Sequence, residues 1–209
     1  MRILRTADYP TLPWKNGLGV SRVIASNPDA AAHDAANWQV GSTDIGIDCP
    51  FSSLPGMDRQ FMLLSGAGVE LRCVDVVAGI NLRHAVKEPF NPVAFRGDWQ
   101  TTCKLFDDPV QVFNVMTRRG RAGAKLTLPR WMGPLLLEQH AGESVIAVLL
   151  TGAAQVVGDA APLLPLESVV LDSPEGEMRS VATIGGVARM AVVRLSLDDA
   201  RADEARVRR

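Results

Sequence analysis

Trp14, Lys15 and Asn16 stand side by side in the stretch TLPWKNGLGV (11–20), between Pro13 and the glycines Gly17 and Gly19. An indole can stack on a ligand or fill a core, an ammonium can neutralise an anion, and an amide both donates and accepts hydrogen bonds. The glycines allow the backbone to turn tightly beside whatever these groups hold. Arg22 follows in VSRVIA (20–25), where alternation puts it on one face with Val20 and Ile24. Two roles fit it, a structural salt bridge or an anion ligand, because its fork suits any carboxylate. The shaped loop DCPFSSLPGMDRQ (48–60) delivers Ser52, Asp58 and Arg59. In VFNVM (112–116), Asn114 shares a face with Val112 and Met116. A polar group on an apolar face is costly unless it is hydrogen-bonded or binds something. Each has a plainer role too: Trp14 as core, Lys15 as a solvated side chain, Asp58 and Arg59 as surface partners of neighbouring charges.

Other chemistries find little support. The three histidines, His33, His84 and His140, are far apart and form no His-x-His. Glu138, His140 and Glu143 cluster in LEQHAGE (137–143), but a metal needs several convergent ligands, and no metal site or cofactor is expected. No GxSxG elbow, Walker loop or Rossmann glycine pattern occurs. Cys49, Cys73 and Cys103 are odd in number and form no CxxC, so reduced thiols are expected.

The elements that must position these residues read as β. Phe61–Leu64, Val69–Val77, Val110–Met116, Val145–Leu150 and Ala188–Leu197 have strand lengths and are rich in Val, Leu and Ile. NPDAAAHDAAN (27–37) fits a short helix or a surface loop, and the tail from Asp198 fits a frayed helix or disorder. A weak repeat runs through the chain. LLSGAGVEL at Leu63 matches LLTGAAQVV at Leu149, 86 positions on, and PVQVFNVM (109–116) matches GVARMAVV (186–193), 77 positions on. NPVAFRGD (91–98) has a looser echo in LESVVLDS (166–173). The repeat predicts an all-β chain of two jelly-roll modules, split at 1–120 and 121–209, with strand exchange between them allowed. Asn114 then has Ala191 as its counterpart, and the polar site belongs to the first module.

At 209 residues and 47% apolar composition the chain can bury a sizeable core, and a net charge of −1 gives no bias toward nucleic acid. The longest apolar run, Val145–Leu150, is too short to span a bilayer, and MRILRTADYP has no apolar run of the length expected of a signal peptide. The protein is expected to be soluble and cytoplasmic, without nucleic-acid or membrane partners.

The motifs PWKNGLGVSRVIA (13–25), WQVGSTDI (38–45), GIDCPFSSLPGMDRQFMLLSGAGVEL (46–71), FRGD (95–98) and FNVMTRRG (113–120) resemble the HutD/Ves family, in the same order and across roughly the first 120 residues. The resemblance implies a bicupin, two double-stranded β-helix modules packed together. It also implies a role beside bacterial histidine degradation, with a small acid such as N-formylglutamate as ligand and control of the pathway as output. Carried over by motif position, it marks Trp14, Lys15, Asn16, Arg22, Ser52, Asp58, Arg59, Asn114, Met116 and Arg118 as ligand-binding. The chain departs from the family pattern at Gln39, at Gly41-Ser42-Thr43 and around Val112-Phe113, all near the expected pocket.

Three functions follow as expectations. In a metal-free binding protein, Lys15, Arg22 and Arg59 neutralise carboxylates while Asn16 and Asn114 read a formyl or amide group. In a metal-free isomerase or hydrolase of a small acid, Lys15 or Asp58 is the acid/base. In a non-catalytic scaffold, an exposed edge pairs two copies into a homodimer.

Overall fold

The computed structural model describes residues 1–14, 17, 19–29, 31–33 and 35–197. Lys15, Asn16 and the tail from Asp198 lie outside the described residues. Nineteen strands follow in order among those described: β1 (Arg2–Leu4), β2 (Thr11–Pro13), β3 (Val20–Asn27), β4 (Trp38–Ile45), β5 (Cys49–Pro50), β6 (Met57–Ser65), β7 (Val69–Asp75), β8 (Ile80–Val86), β9 (Val93–Arg96) and β10 (Gln100–Leu105), then β11 (Val110–Arg118), β12 (Ala122–Thr127), β13 (Arg130–Trp131), β14 (Pro134–Gln139), β15 (Glu143–Thr151), β16 (Ala154–Val156), β17 (Ser168–Leu171), β18 (Glu177–Thr183) and β19 (Ala188–Leu197). A 3-10 turn at Thr6–Asp8 is the one helical element among the described residues. The 27–37 segment therefore takes the loop alternative, with Ala35 and Ala36 N–H groups both turning back to the Ala32 carbonyl. No described helix is long and apolar enough to cross a membrane.

Residues 10–121 form one compact unit, and residues 1–9 join the chain from Ala122 onward in the other. At the N-terminus, Arg2, Ile3 and Leu4 pair antiparallel with Val170, Val169 and Ser168. In the first unit, a sheet ordered β2-β3-β4-β11-β6-β9 faces one ordered β5-β10-β7-β8. Phe61, Leu63, Leu71, Val110 and Val112 fill its interior. In the second unit, β1-β17-β15-β19-β12 face β14-β18-β16, around Val145, Leu149, Met190 and Val192. Each is a closed double sheet whose inward residues alternate with outward ones.

The sequence repeat is structural. β11-β6-β9 in the first unit and β19-β15-β17 in the second have the same neighbours. Each copy carries a bulge at the same place, next to Val112↔Leu63 in one and Met190↔Leu149 in the other. The strand then turns through Gly66 (φ +100°) or Gly152 (φ +84°), where a side chain would strike the backbone carbonyl of Pro109 or Val187 within 3 Å. Glycine meets both demands.

Register corrects one expectation. Leu63 and Leu149 are counterparts, so their partners Val112 and Met190 are too, which sets an offset of 78 rather than 77. The counterpart of Asn114 is therefore Val192, not Ala191. One residue of slip exchanges the faces of a strand. Sequence similarity between Val/Ala-rich runs does not resolve such a slip, whereas the ladder does.

Candidate functional site

The first unit holds a cavity of about 40 Å3 for the centres of water-sized spheres, where one water needs about 10–15 Å3. Its polar lining includes Arg59, Asn114, Ser52, Ser21 and Thr43, and its walls are Trp14, Phe51, Leu54, Ile45 and Met116.

Arg59 dominates the site. Its place on β6 opposite Met116 of β11 turns it to the inner face, beside Phe61 and Leu63. The guanidinium lies over the rings of Phe51 and Phe95, 4.9 and 5.1 Å from their centroids. Nη2 donates to Asn114 Oδ1 at 3.1 Å, while Nε is sealed from solvent with no acceptor. No carboxylate lies within ion-pairing distance among the described residues. Burial pushes its pKa down to about 10, with the nearby Cys73 opposing slightly. Two aromatic faces offset part of the desolvation of such a cation; an anionic ligand would offset the rest.

Asn114 and Ser52 complete this end. Asn114 spends Oδ1 on Arg59, so its Nδ2 hydrogens are left to donate into the cavity, and no described residue accepts them. The Ser52 hydroxyl is buried without a partner. The floor between them and β3 is Gly41, directly opposite Asn114. Any Cβ at Gly41 would stand 2.6 Å from the Arg22 carbonyl oxygen, so the position opposite Asn114 carries no side chain.

Trp14 closes the far wall. Its indole meets Phe51 edge-on with centroids 5.9 Å apart, and Nε1 donates to Ser21 Oγ at 3.0 Å. Ser21 Oγ in turn lies 2.9 Å from Thr43 Oγ1. The turn is fixed by Trp14 N–H to the Gly19 carbonyl and Gly17 N–H to the Trp14 carbonyl. Gly17 has φ +72°, and a Cβ on Gly19 would lie 2.9 Å from the indole.

Of the sequence candidates, Trp14, Ser52, Arg59, Asn114 and Met116 converge on this cavity. Arg22 reaches its edge, but its Nη1 is held 2.5 Å from Asp44 Oδ2 in an exposed pair. Its hydrophobic strand neighbours had suggested an inward face; a bulge between Val23 and Ala25 breaks that alternation. Ser21 and Val23 share the face that Arg22 leaves.

Asp58 is not in the cavity. Its Oδ1 accepts from Arg119 Nη1 at 2.6 Å, and Arg119 also binds Asp98. Burial opposes ionisation of Asp98, but the Gly56 N–H and Arg119 hold its carboxyl below the usual range. Asp58 sits one residue from Arg59, hence on the opposite face of β6, which removes it as acid/base for a ligand in this cavity. Arg118 is also elsewhere, with Nε donating to the Ala36 carbonyl at 3.1 Å.

Residues the sequence did not mark also line the site. Phe51 and Phe95 cradle Arg59, and the Ser21–Thr43 pair carries hydroxyls. His33 Nδ1 meets Gln39 Oε1, and Gln39 Nε2 donates to the Ala31 carbonyl at 3.2 Å. The departures at Gln39 and Thr43 were a signal available in the sequence. Among the described residues no three His, Cys, Asp or Glu side chains gather as a metal would require.

The second unit shows the same positions filled. Arg59 corresponds to Val145 and Asn114 to Val192, both in the apolar core.

Comparison with known proteins places the fold and its relatives. A family model described as HutD matches residues 6–188. An uncharacterised 21.2 kDa protein in the hutC 3′ region of Pseudomonas putida is 32% identical over 126 residues, 60% of this chain and 63% of that protein. The chain therefore spans less than two thirds of that curated relative. The structure of HutD from Pseudomonas fluorescens SBW25, in a formate condition, superposes with a TM-score of 0.74 at 26% identity, over 94% of this chain and 98% of that one. A cupin barrel protein of Leptotrichia buccalis, 13% identical with a TM-score of 0.54 over 84% of this chain and 88% of that one, shares the fold alone. The architecture is a bicupin.

Proposed function

The chain belongs to the HutD family, and from that premise we propose that it binds a small carboxylate metabolite of histidine degradation, such as N-formylglutamate, without a metal, and so regulates histidine utilisation. The observation that carries this reading is Arg59, a half-buried cation whose Nε is sealed from solvent and which has no carboxylate partner among the described residues, at a cavity that also holds the Asn114 amide and the unpartnered Ser52 hydroxyl. A ligand carboxylate would take the Arg59 hydrogens and an Asn114 N–H together. Charge-assisted bonds of this kind contribute about 1.5–3 kcal/mol each, so three of them near the top of that range reach the roughly −8 kcal/mol of micromolar binding. The hut-region relative and the HutD structure support the pathway assignment by kinship.

Calorimetry with N-formylglutamate, urocanate, glutamate and formate tests it. The expected result is a micromolar Kd for at least one acid, unchanged by a chelator. Absence of heat with all four, at concentrations that detect millimolar binding, would overturn it.

A further inference from the structure

Resting on the carboxylate-binding reading, we propose that Ser21 and Thr43 form a second subsite of the same cavity, which selects acids bearing a carbonyl acceptor a short chain away from the carboxylate.

Hydrogen-bond accounting carries this. Trp14 Nε1 can only donate, and it donates to Ser21 Oγ. The two hydroxyls Ser21 and Thr43 have two hydrogens between them. One lies in their mutual 2.9 Å bond, whichever of the two donates. If Ser21 donates, the Thr43 hydrogen is left over; if Thr43 donates, the Ser21 hydrogen is. Either way one hydroxyl hydrogen has no acceptor among the described residues, and both side chains line the cavity. Thr43 is 2% exposed and Ser21 half-buried, so bulk water has limited access to either hydrogen. A buried donor without an acceptor is an energetic cost that a ligand oxygen removes.

The strand register places this donor at a useful distance from the charged end. Along β11 the facing residues run Met116, Asn114, Val112; Arg59 lies opposite the first and Thr43 opposite the last. Thr43 is two residues from Gly41, which faces Asn114. Two residues of strand span about 7 Å, and Gly41 contributes no side chain to obstruct the path. An acid anchored at Arg59 and Asn114 can therefore extend across Gly41 toward Thr43. The Trp14 bond anchors Ser21 Oγ, and through it the Ser21–Thr43 pair, at the outer end of the cavity. What it recognises is an oxygen of amide or formamide type, which accepts strongly; a methyl group of the same size leaves the donor stranded.

The experiment compares N-formylglycine with pentanoate, two monocarboxylates of matched heavy-atom count, one ending in a formamide oxygen and the other in a methyl. Their Kd values are measured on the wild type and on Thr43→Val, Thr43→Ser, Ser21→Ala and Arg59→Ala. The wild type is expected to prefer N-formylglycine by about tenfold, Thr43→Val to collapse that ratio toward one, and Thr43→Ser to retain it. Equal ratios in wild type, Thr43→Val and Ser21→Ala overturn the subsite, as does equal weakening of both acids in Thr43→Val. If neither acid binds the wild type, or Arg59→Ala leaves both affinities unchanged, the carboxylate reading itself has failed and takes the subsite with it.

Discussion

Arg59 donates to the side-chain oxygen of Asn114 at 3.1 Å, and this neutral amide is its one hydrogen-bonding partner among the described residues. The pairing turns the Asn114 amide so that its hydrogens face the cavity, and it leaves the guanidinium with donors to spare. Charge and donor orientation are thus set by a single contact, before any ligand arrives.

Replacing Arg59 by Met should separate binding from folding. The charge is desolvated without a carboxylate, so removing it relieves a cost while Met keeps contact with Phe51 and Phe95. Thermal unfolding is expected to show an equal or higher Tm than wild type, and calorimetry a loss of acid affinity of at least tenfold. A markedly lower Tm would mean that Arg59 is a structural residue first.

Asp58→Ala and Arg118→Ala make the complementary case, because neither side chain lines the cavity. Acid affinity should stay within about twofold of wild type in both. Asp58→Ala also breaks the exposed contact with Arg119, at a cost of about 0.2–1 kcal/mol. A tenfold loss of affinity in Asp58→Ala would show that the sequence reading of Asp58 as a ligand residue was the better one.

The fold was legible because its signals are local: apolar runs bounded by Gly, and a repeat of the same turn at Gly66 and Gly152. Part of the lining of the candidate cavity was legible too. Asn114 on an apolar face marks a buried polar group whatever its neighbours are. The placement of Arg22 and Asp58 turns on something sequence does not carry. Both lie next to cavity-facing residues, and a bulge in β3 or one step along β6 decides which face a side chain takes. Phe51 and Phe95 went unread because an aromatic that cradles a cation looks, in sequence, like any core aromatic. Gln39 and Thr43 could be seen as departures, but only the ladder shows that Gly41 opens a path between them.

Alkaline pH should weaken the fold before it weakens the site. Burial, reinforced by Cys49 and Asp48, pushes the Cys103 thiol up to about 12, while an unfolded thiol titrates near about 8.5. Between those values the unfolded chain releases a proton that the native state keeps, so stability is full below the window and falls as pH rises through it, by up to about 1.4 kcal/mol per pH unit. Arg59 acts in the opposite sense, since its native form loses a proton at about 10 while the unfolded form keeps it, but only above that pH. From pH 8.5 to 10 the thiols therefore dominate. Tm should fall across that range in wild type and fall less steeply in Cys103→Ala. Acid affinity should hold to pH 9 and decline above about 10, where Arg59 neutralises. Parallel Tm slopes in the two proteins would remove Cys103 as the cause.

Gly41 joins fold and site most directly. A β-carbon there would stand 2.6 Å from the Arg22 carbonyl oxygen, a backbone atom that moves only if β3 moves. A bulge lies beside it at Val23/Ala25, and Gly41→Ala must displace the β3 backbone from β4. Overpacking of this kind costs about 1–3 kcal/mol. The same displacement would shift Ser21, which sits on β3 opposite Thr43, and put a methyl on the strand position that faces Asn114. Gly41→Ala is therefore expected to lower Tm by several degrees and to lose acid affinity at temperatures where it remains folded. Gly46→Ala, where a β-carbon meets nothing within 4 Å, should change neither. If Gly41→Ala binds acids as well as wild type at 15 °C, the space beside Asn114 is not where the ligand lies.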